Sequence, residues 1–185
     1  TRITRQIDRL TNLLDSLQLM SHLDRKTYIQ VKSIDLQGFL KDVMDQCQSQ
    51  LLDKSQTIHL IDDNPQISIR CNEELLATAV SAILDNAIHN TPDNGDIIVR
   101  SYAQDDTTIL SIQDTGIGMT DETLPRIFER FYRADQAHST SGFGLGLSIA
   151  KRIIELHGGT VEVDSQLDVG STFLIILPQT IPDTQ

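Results

Sequence analysis

The sequence predicts an α+β fold. In this fold a two-layer α/β sandwich sets helices on one face of a mixed, mostly antiparallel sheet, and an extra bundle helix stands at the N-terminus. Three observations predict it. Strand-like segments come as consecutive hairpins, segments of helical periodicity stand between them, and no internal repeat divides the chain. The 185 residues suffice for one compact domain and a short appendage.

The elements follow in order. Ile3, Ile7, Leu10, Leu14 and Leu17 are spaced 4, 3, 4 and 3 apart, with Arg2, Arg5, Asp8, Arg9 and Asp15 on the other faces. That heptad-like seam predicts a helix over the first 24 residues that packs on a second helix or a second chain. A polar stretch follows, with a strand expected over 27–32. Segment 36–52 predicts a helix, with Leu36, Phe39, Leu40, Val43, Met44 and Cys47 on one face. Strands are expected at 57–61 and 67–71, with Asp-Asp-Asn-Pro between them marking a turn. Segment 73–90 predicts a strong helix with Asn72 as its N-cap and Glu73 and Glu74 in its first turn. A hairpin over 97–113, a short helix near 121–130, a helix over 148–157 and a hairpin over 160–177 complete the order. The tail from 178 is expected to be loose.

Composition narrows the function. Fifteen Lys and Arg against 26 Asp and Glu give a net charge of −11, which argues against a nucleic-acid or anionic-lipid surface. No run approaches the roughly 18 apolar residues of a transmembrane helix. Cys47 and Cys71 fit no metal or redox spacing and read as reduced thiols in a cytosolic setting.

Two glycine-rich turns carry the chemistry. Asp-Thr-Gly-Ile-Gly-Met at 114–119 follows a strand, and Gly-Phe-Gly-Leu-Gly-Leu at 142–147 runs into a helix. Glycines let the backbone approach a ligand, and a helix start offers free N–H donors to phosphate. Neither turn matches the dinucleotide fingerprint or the P-loop, so each alone is a weak signal and reads first as a tight turn. Asn86 interrupts an otherwise apolar helix face. It reads as a hydrogen-bonded core residue or as an oxygen ligand for a hard cation such as Mg²⁺.

Taken in order, the motifs resemble the ATP-binding domain of a sensor histidine kinase. Residues 83–92 (ILDNAIHNTP) resemble the N box and 114–119 the G1 box. Residues 127–133 (IFERFYR) resemble the F box, 142–149 (GFGLGLSI) the G2 box and 170–173 (GSTF) the last glycine motif. The resemblance covers about residues 30–178, and the first 30 are similar to the end of the second dimerisation helix and its linker. It implies dimerisation helix at 1–24, linker at 25–33, catalytic domain at 34–178 and tail at 179–185.

The resemblance also implies roles. Asp114 accepts from the adenine amino group, and Thr172 joins that network through water. Asn86 ligates the Mg²⁺ that bridges the ATP phosphates, with His89 and Asn90 beside it. Gly116, Ile117, Gly118 and Met119 line the pocket. Arg133 reaches the phosphates from the base of a lid over 134–141, and Gly142, Gly144, Leu145, Gly146 and Leu147 wrap them. The γ-phosphoryl passes to a histidine of the dimerisation domain and on to an aspartate of a response regulator receiver domain. A homodimer through the N-terminal helix, no nucleic-acid partner and a cytoplasmic location are implied, with any membrane anchor outside this chain.

Three positions depart from the family pattern. Ala82 stands where the family often has Asn, and His89 and Asn90 where it often has Lys or Arg and then Tyr. A histidine-containing phosphoacceptor box is absent, so the sequence reads as a fragment; His22 reads as a solvated linker residue. His157, at a helix end, reads as a C-terminal helix partner. Related ATPases need a Glu one turn before the Asn to activate water, and that position is Ala82. An anti-sigma-type serine kinase is a rival reading, against which the bundle-like helix at 1–17 and the full F box argue, and Ala82 and Asn90 keep a catalytically weak docking or dimerisation domain as another.

Overall fold

The computed structural model describes residues 2–25, 28–62, 67–133 and 143–179. The proposed lid at 134–141 with His138, the site residue Gly142 and the tail beyond 179 lie outside the described residues, as does the Ile3 side chain.

Helix α1 (Arg2–Arg25) carries two apolar faces. Ile7, Leu10, Leu14 and Leu17 stay exposed, between 39% and 60%, whereas Met20 and Leu23 are buried. Burial of that second face docks the end of α1 on the rest of the chain. Arg130 Nη2 grips both carboxylate oxygens of Asp24 at 2.8 and 2.9 Å, and Arg152 Nη2 donates to the Leu23 carbonyl at 3.3 Å. Cations at a helix C-terminus suit its dipole.

Strand β1 is Lys32–Asp35, later than the expected 27–32. It pairs antiparallel with β3 (Ser68–Cys71), Lys32 opposite Cys71, as a separate two-stranded sheet. The expected helix over 36–52 divides into α2 (Leu36–Gln46) and α3 (Gln48–Asp53). The Cys47 amide bonds back to Met44, a tighter turn than α-helix allows. Asp35 caps α2 by accepting from the Gly38 amide at 2.8 Å.

The main sheet has the order β2-β4-β5-β7-β6. Its strands are β2 (Thr57–Asp62), β4 (Asp96–Gln104), β5 (Thr107–Asp114), β6 (Thr160–Gln166) and β7 (Gly170–Pro178). β2 runs parallel to β4 and the other neighbours are antiparallel. The expected mixed, mostly antiparallel sheet is found. The turn expected between 57–61 and 67–71 lies outside the described residues, and the strands on either side of it, β2 and β3, join different sheets. The cross-strand register aligns Val99, Ile112 and Phe173 in one rung and Ile97, Asp114 and Ser171 in the next. Side chains of one rung share a face. Val99, Ile112 and Phe173 are buried, so Asp114 ends the helix-covered face of the sheet.

Helices α4 (Glu73–Asn90) and α5 (Gly146–Leu156) pack on each other over this face. Asn72 caps α4 by accepting from the Leu75 amide at 3.0 Å. The Asn72 amide in turn donates to Nε2 of His157 at 3.0 Å, and Nδ1 of His157 bonds the Ile153 carbonyl at 2.7 Å. His157 therefore joins the start of α4 to the end of α5. It is fully buried, and burial pushes its pKa below the ordinary value, so it acts as a neutral clamp rather than a cation on the helix dipole.

The expected helix near 121–130 is a single 3₁₀ turn, Leu124–Arg126, set among tight turns. Pro125 lacks an N–H, and the Arg126 and Glu129 amides close three-residue turns on Thr123 and Arg126. Phe128 meets buried Phe173 edge-on, with ring centroids 6.5 Å apart.

Candidate functional site

One end of the sandwich gathers the chemistry. Asp114 is 3% exposed, and its Oδ1 accepts from the Gly116 amide at 2.8 Å and the Ser171 amide at 3.3 Å. Burial raises its pKa, while these two bonds pull the other way. Both bonds fall on one oxygen, which leaves Oδ2 to accept from a ligand.

The turn after Asp114 needs its glycines. A Cβ on Gly116 would lie 2.7 Å from the Asn90 carbonyl oxygen. Gly118 has φ +63°, and a Cβ there would run into the Gln166 carbonyl. The Ile117 amide donates to the Asn90 carbonyl at 3.2 Å, and the Asp168 amide donates to the Ile117 carbonyl at 2.8 Å. This turn is thus tied to the end of α4 and to the tip of the β6–β7 hairpin. Ile117 is exposed, whereas Met119 packs against the core.

At the end of α4, Asn90 Nδ2 donates to the Asn86 carbonyl at 2.8 Å and to Asn86 Oδ1 at 3.1 Å. Asn86 is half-buried beside it. His89 sits below its ordinary pKa because of partial burial and the nearby charges of Lys54 and Arg133. Ala82 Cβ lies 3.7 Å from where a Cβ on Gly146 would stand, which sets α4 beside the start of α5.

Helix α5 begins at Gly146 with Leu145 as its N-cap and, among the described residues, without a side-chain cap. Its first-turn amides are therefore donors for an external anion. The Phe131 amide donates to the Gly144 carbonyl at 2.8 Å, which joins the segments before and after 134–142.

Thr172 is placed differently from the expectation. It pairs with Gln113 and Asp164, on the sheet face opposite Asp114. Ser171 stands on the Asp114 rung, with its Oγ 2.9 Å from Ser165 Oγ. Sequence reasoning missed Ser171, Ser165, Lys54 and Gln56. Asp85 is exposed and stands one position before Asn86, about 100° away around the helix; desolvation raises its pKa, and the Gln50 side chain pulls it the other way.

These residues fit a purine nucleotide with its cation. Asp114 presents a buried acceptor, Asn86 an amide oxygen suited to a hard cation, and α5 first-turn amides that no side chain caps among the described residues. Among the described residues no helix is long and apolar enough to cross a membrane.

Comparison with known proteins gives the family. Residues 71–181 match the family described as histidine kinase-, DNA gyrase B- and HSP90-like ATPases. The chain is 35% identical over 175 residues to the phosphate regulon sensor protein PhoR of Pseudomonas aeruginosa, covering 93% of this chain and 39% of that protein. It is 37% identical over 183 residues to the heme sensor protein HssS of Staphylococcus saprophyticus, covering 97% of this chain and 38% of that protein. Full-length ShkA, solved in complex with AMPPNP, superposes with a TM-score of 0.85 at 26% identity, covering 96% of this chain and 37% of that one. The chain thus spans about two fifths of the curated relatives it matches.

Proposed function

Since the chain belongs to the histidine kinase-, DNA gyrase B- and HSP90-like ATPase family, we propose that it is the ATP-binding kinase portion of a two-component sensor histidine kinase. One observation carries this reading: Asp114, the Asn86–Asn90 end of α4 and the start of α5 converge on one end of the sandwich.

Bound MgATP supplies the transferable γ-phosphoryl group. Asp114 selects adenine by accepting from its amino group, with Ser171 fixing the carboxylate through its amide. Asn86 would offer its amide oxygen to Mg²⁺, a hard cation that would offset the charge of the phosphates there. The α5 amides and Arg133 neutralise phosphate charge. His89, held below its ordinary pKa, offers a neutral N–H donor near pH 7. Gly116, Gly118, Met119, Gly144, Leu145 and Leu147 shape the walls.

The acceptor is a histidine of a dimerisation domain, from which the phosphoryl group reaches a response-regulator aspartate. Residues 1–24 form the end of that dimerisation helix. The exposed row Ile7, Leu10, Leu14 and Leu17 supports a homodimer through α1. Phosphotransfer is favoured over hydrolysis because Ala82 occupies the water-activating position and Asp85, adjacent to Asn86, points about 100° away around the helix.

The test is to incubate the chain with MgATP and a supplied dimerisation domain that carries the acceptor histidine. Acid-labile, base-stable phosphate on that domain is expected. Phosphate release without protein labelling would point to an ATPase, and nucleotide binding with neither product to a docking domain.

A further inference from the structure

We propose that Lys54, with Gln56 beside it, is a positioning residue that fixes the nucleotide-binding end of α4. The helix must find partners for its last four carbonyls, Ala87 to Asn90. Thr91 supplies the first, through its amide at 2.9 Å and its hydroxyl at 2.7 Å. The Ile117 amide supplies the last. The two between them depend on residues more than thirty positions earlier. Lys54 Nζ donates to Ile88 at 2.9 Å, to His89 at 2.8 Å and to the Thr91 carbonyl beyond the helix at 3.0 Å. Gln56 Nε2 donates to Ile88 at 3.0 Å and to Thr91 at 2.7 Å.

All three ammonium protons of Lys54 are thus spent on backbone oxygens. A cation with three directed donors closes the helix more firmly than water, and its charge suits the negative end of the dipole. The tie also sets geometry. The same helix turn that Lys54 holds carries His89 and Asn90, and Asn90 in turn anchors Asn86 and receives the Ile117 amide. The Lys54 ammonium is directed at the Ile88, His89 and Thr91 carbonyls rather than at the proposed nucleotide. It acts through the backbone that aims Asn86 and Asn90, and its charge, with that of Arg133, helps keep His89 neutral.

The inference rests on the proposed nucleotide site, and the experiment separates the two. Affinity for a non-hydrolysable ATP analogue with Mg²⁺ is measured against pH for the parent, Lys54→Met, Lys54→Gln and Asn86→Ala, with thermal melts alongside. Lys54→Met is expected to weaken binding by about tenfold while still melting cooperatively. Its His89-dependent inflection is expected to move to higher pH, because one of the two cations facing His89 has gone; Arg133 remains. Lys54→Gln keeps a donor but no charge. It is expected to recover part of the affinity, with the same pH displacement, and it is the variant to read if Lys54→Met does not fold. Lys54 variants with the parent's affinity and pH profile, beside an Asn86→Ala chain that has lost binding, would overturn the positioning role alone. Undiminished binding by Asn86→Ala would overturn the site reading and this inference with it.

Discussion

Asp114→Asn separates recognition from folding. The substituted amide keeps an oxygen for the Gly116 and Ser171 amides, which both bond Oδ1 in the parent. It turns an NH₂ toward the nucleotide where the parent offers a carboxylate oxygen, and two donors then face each other. A hydrogen bond to a charged group contributes about 1.5–3 kcal/mol, so affinity for an ATP analogue is expected to fall by about 10- to 150-fold. Stability should not fall with it, because Asp114 is buried and an amide costs less to bury than a carboxylate. The pH dependence has a definite sign. The raised pKa means that, just above the ordinary carboxylate range, the folded chain holds a proton that the unfolded chain has released. Stability from this group rises as pH falls through that window, and Asp114→Asn removes the slope. Calorimetry with adenine and hypoxanthine triphosphate analogues, together with chemical denaturation, reads both effects. The parent should prefer adenine, and the variant should lose that preference because its NH₂ can donate to the hypoxanthine oxygen. Unchanged adenine affinity in a folded variant would refute the reasoning.

Two other substitutions probe the frame around the site. His157 is buried and neutral, so below the ordinary histidine value the unfolded chain takes up a proton that the folded chain refuses. Stability is expected to fall as pH drops from that value toward the lowered one, and His157→Gln, followed by urea midpoints, should flatten the fall. Gly118→Ala places a Cβ against the Gln166 carbonyl at a left-handed φ of +63°. It is expected to cost about 1–3 kcal/mol in denaturation and to weaken nucleotide binding, since the same turn carries Gly116.

Much of the fold is legible in the sequence because its signals are local. The α4 and α5 periodicities, the Asn72 cap and the two hairpins all lie within short windows. The misplacements have physical causes. β1 is set by pairing with β3, more than thirty residues later, and the short helix near 121–130 yields to Pro125 and its tight turns. The end of α2 at Cys47 rests on one tightened turn within an unbroken apolar pattern. Thr172 follows from a motif, yet strand parity carries the correct signal: Phe173 is the buried aromatic, so Ser171, two residues before it, shares its face. Lys54 and Gln56 leave no trace in the sequence, since their partners lie 32 to 37 positions away and are backbone oxygens that any residue would present.

The central claim is that α4, the turn after Asp114 and the start of α5 form one Mg²⁺-dependent nucleotide site. Calorimetric titration of a non-hydrolysable ATP analogue, with and without Mg²⁺, into the parent and Asn86→Ala tests it most directly. The account predicts binding that strengthens with Mg²⁺ in the parent, and at least a roughly tenfold loss with no Mg²⁺ response in the variant. Equal binding by both chains irrespective of Mg²⁺, or no binding by the parent, would contradict it.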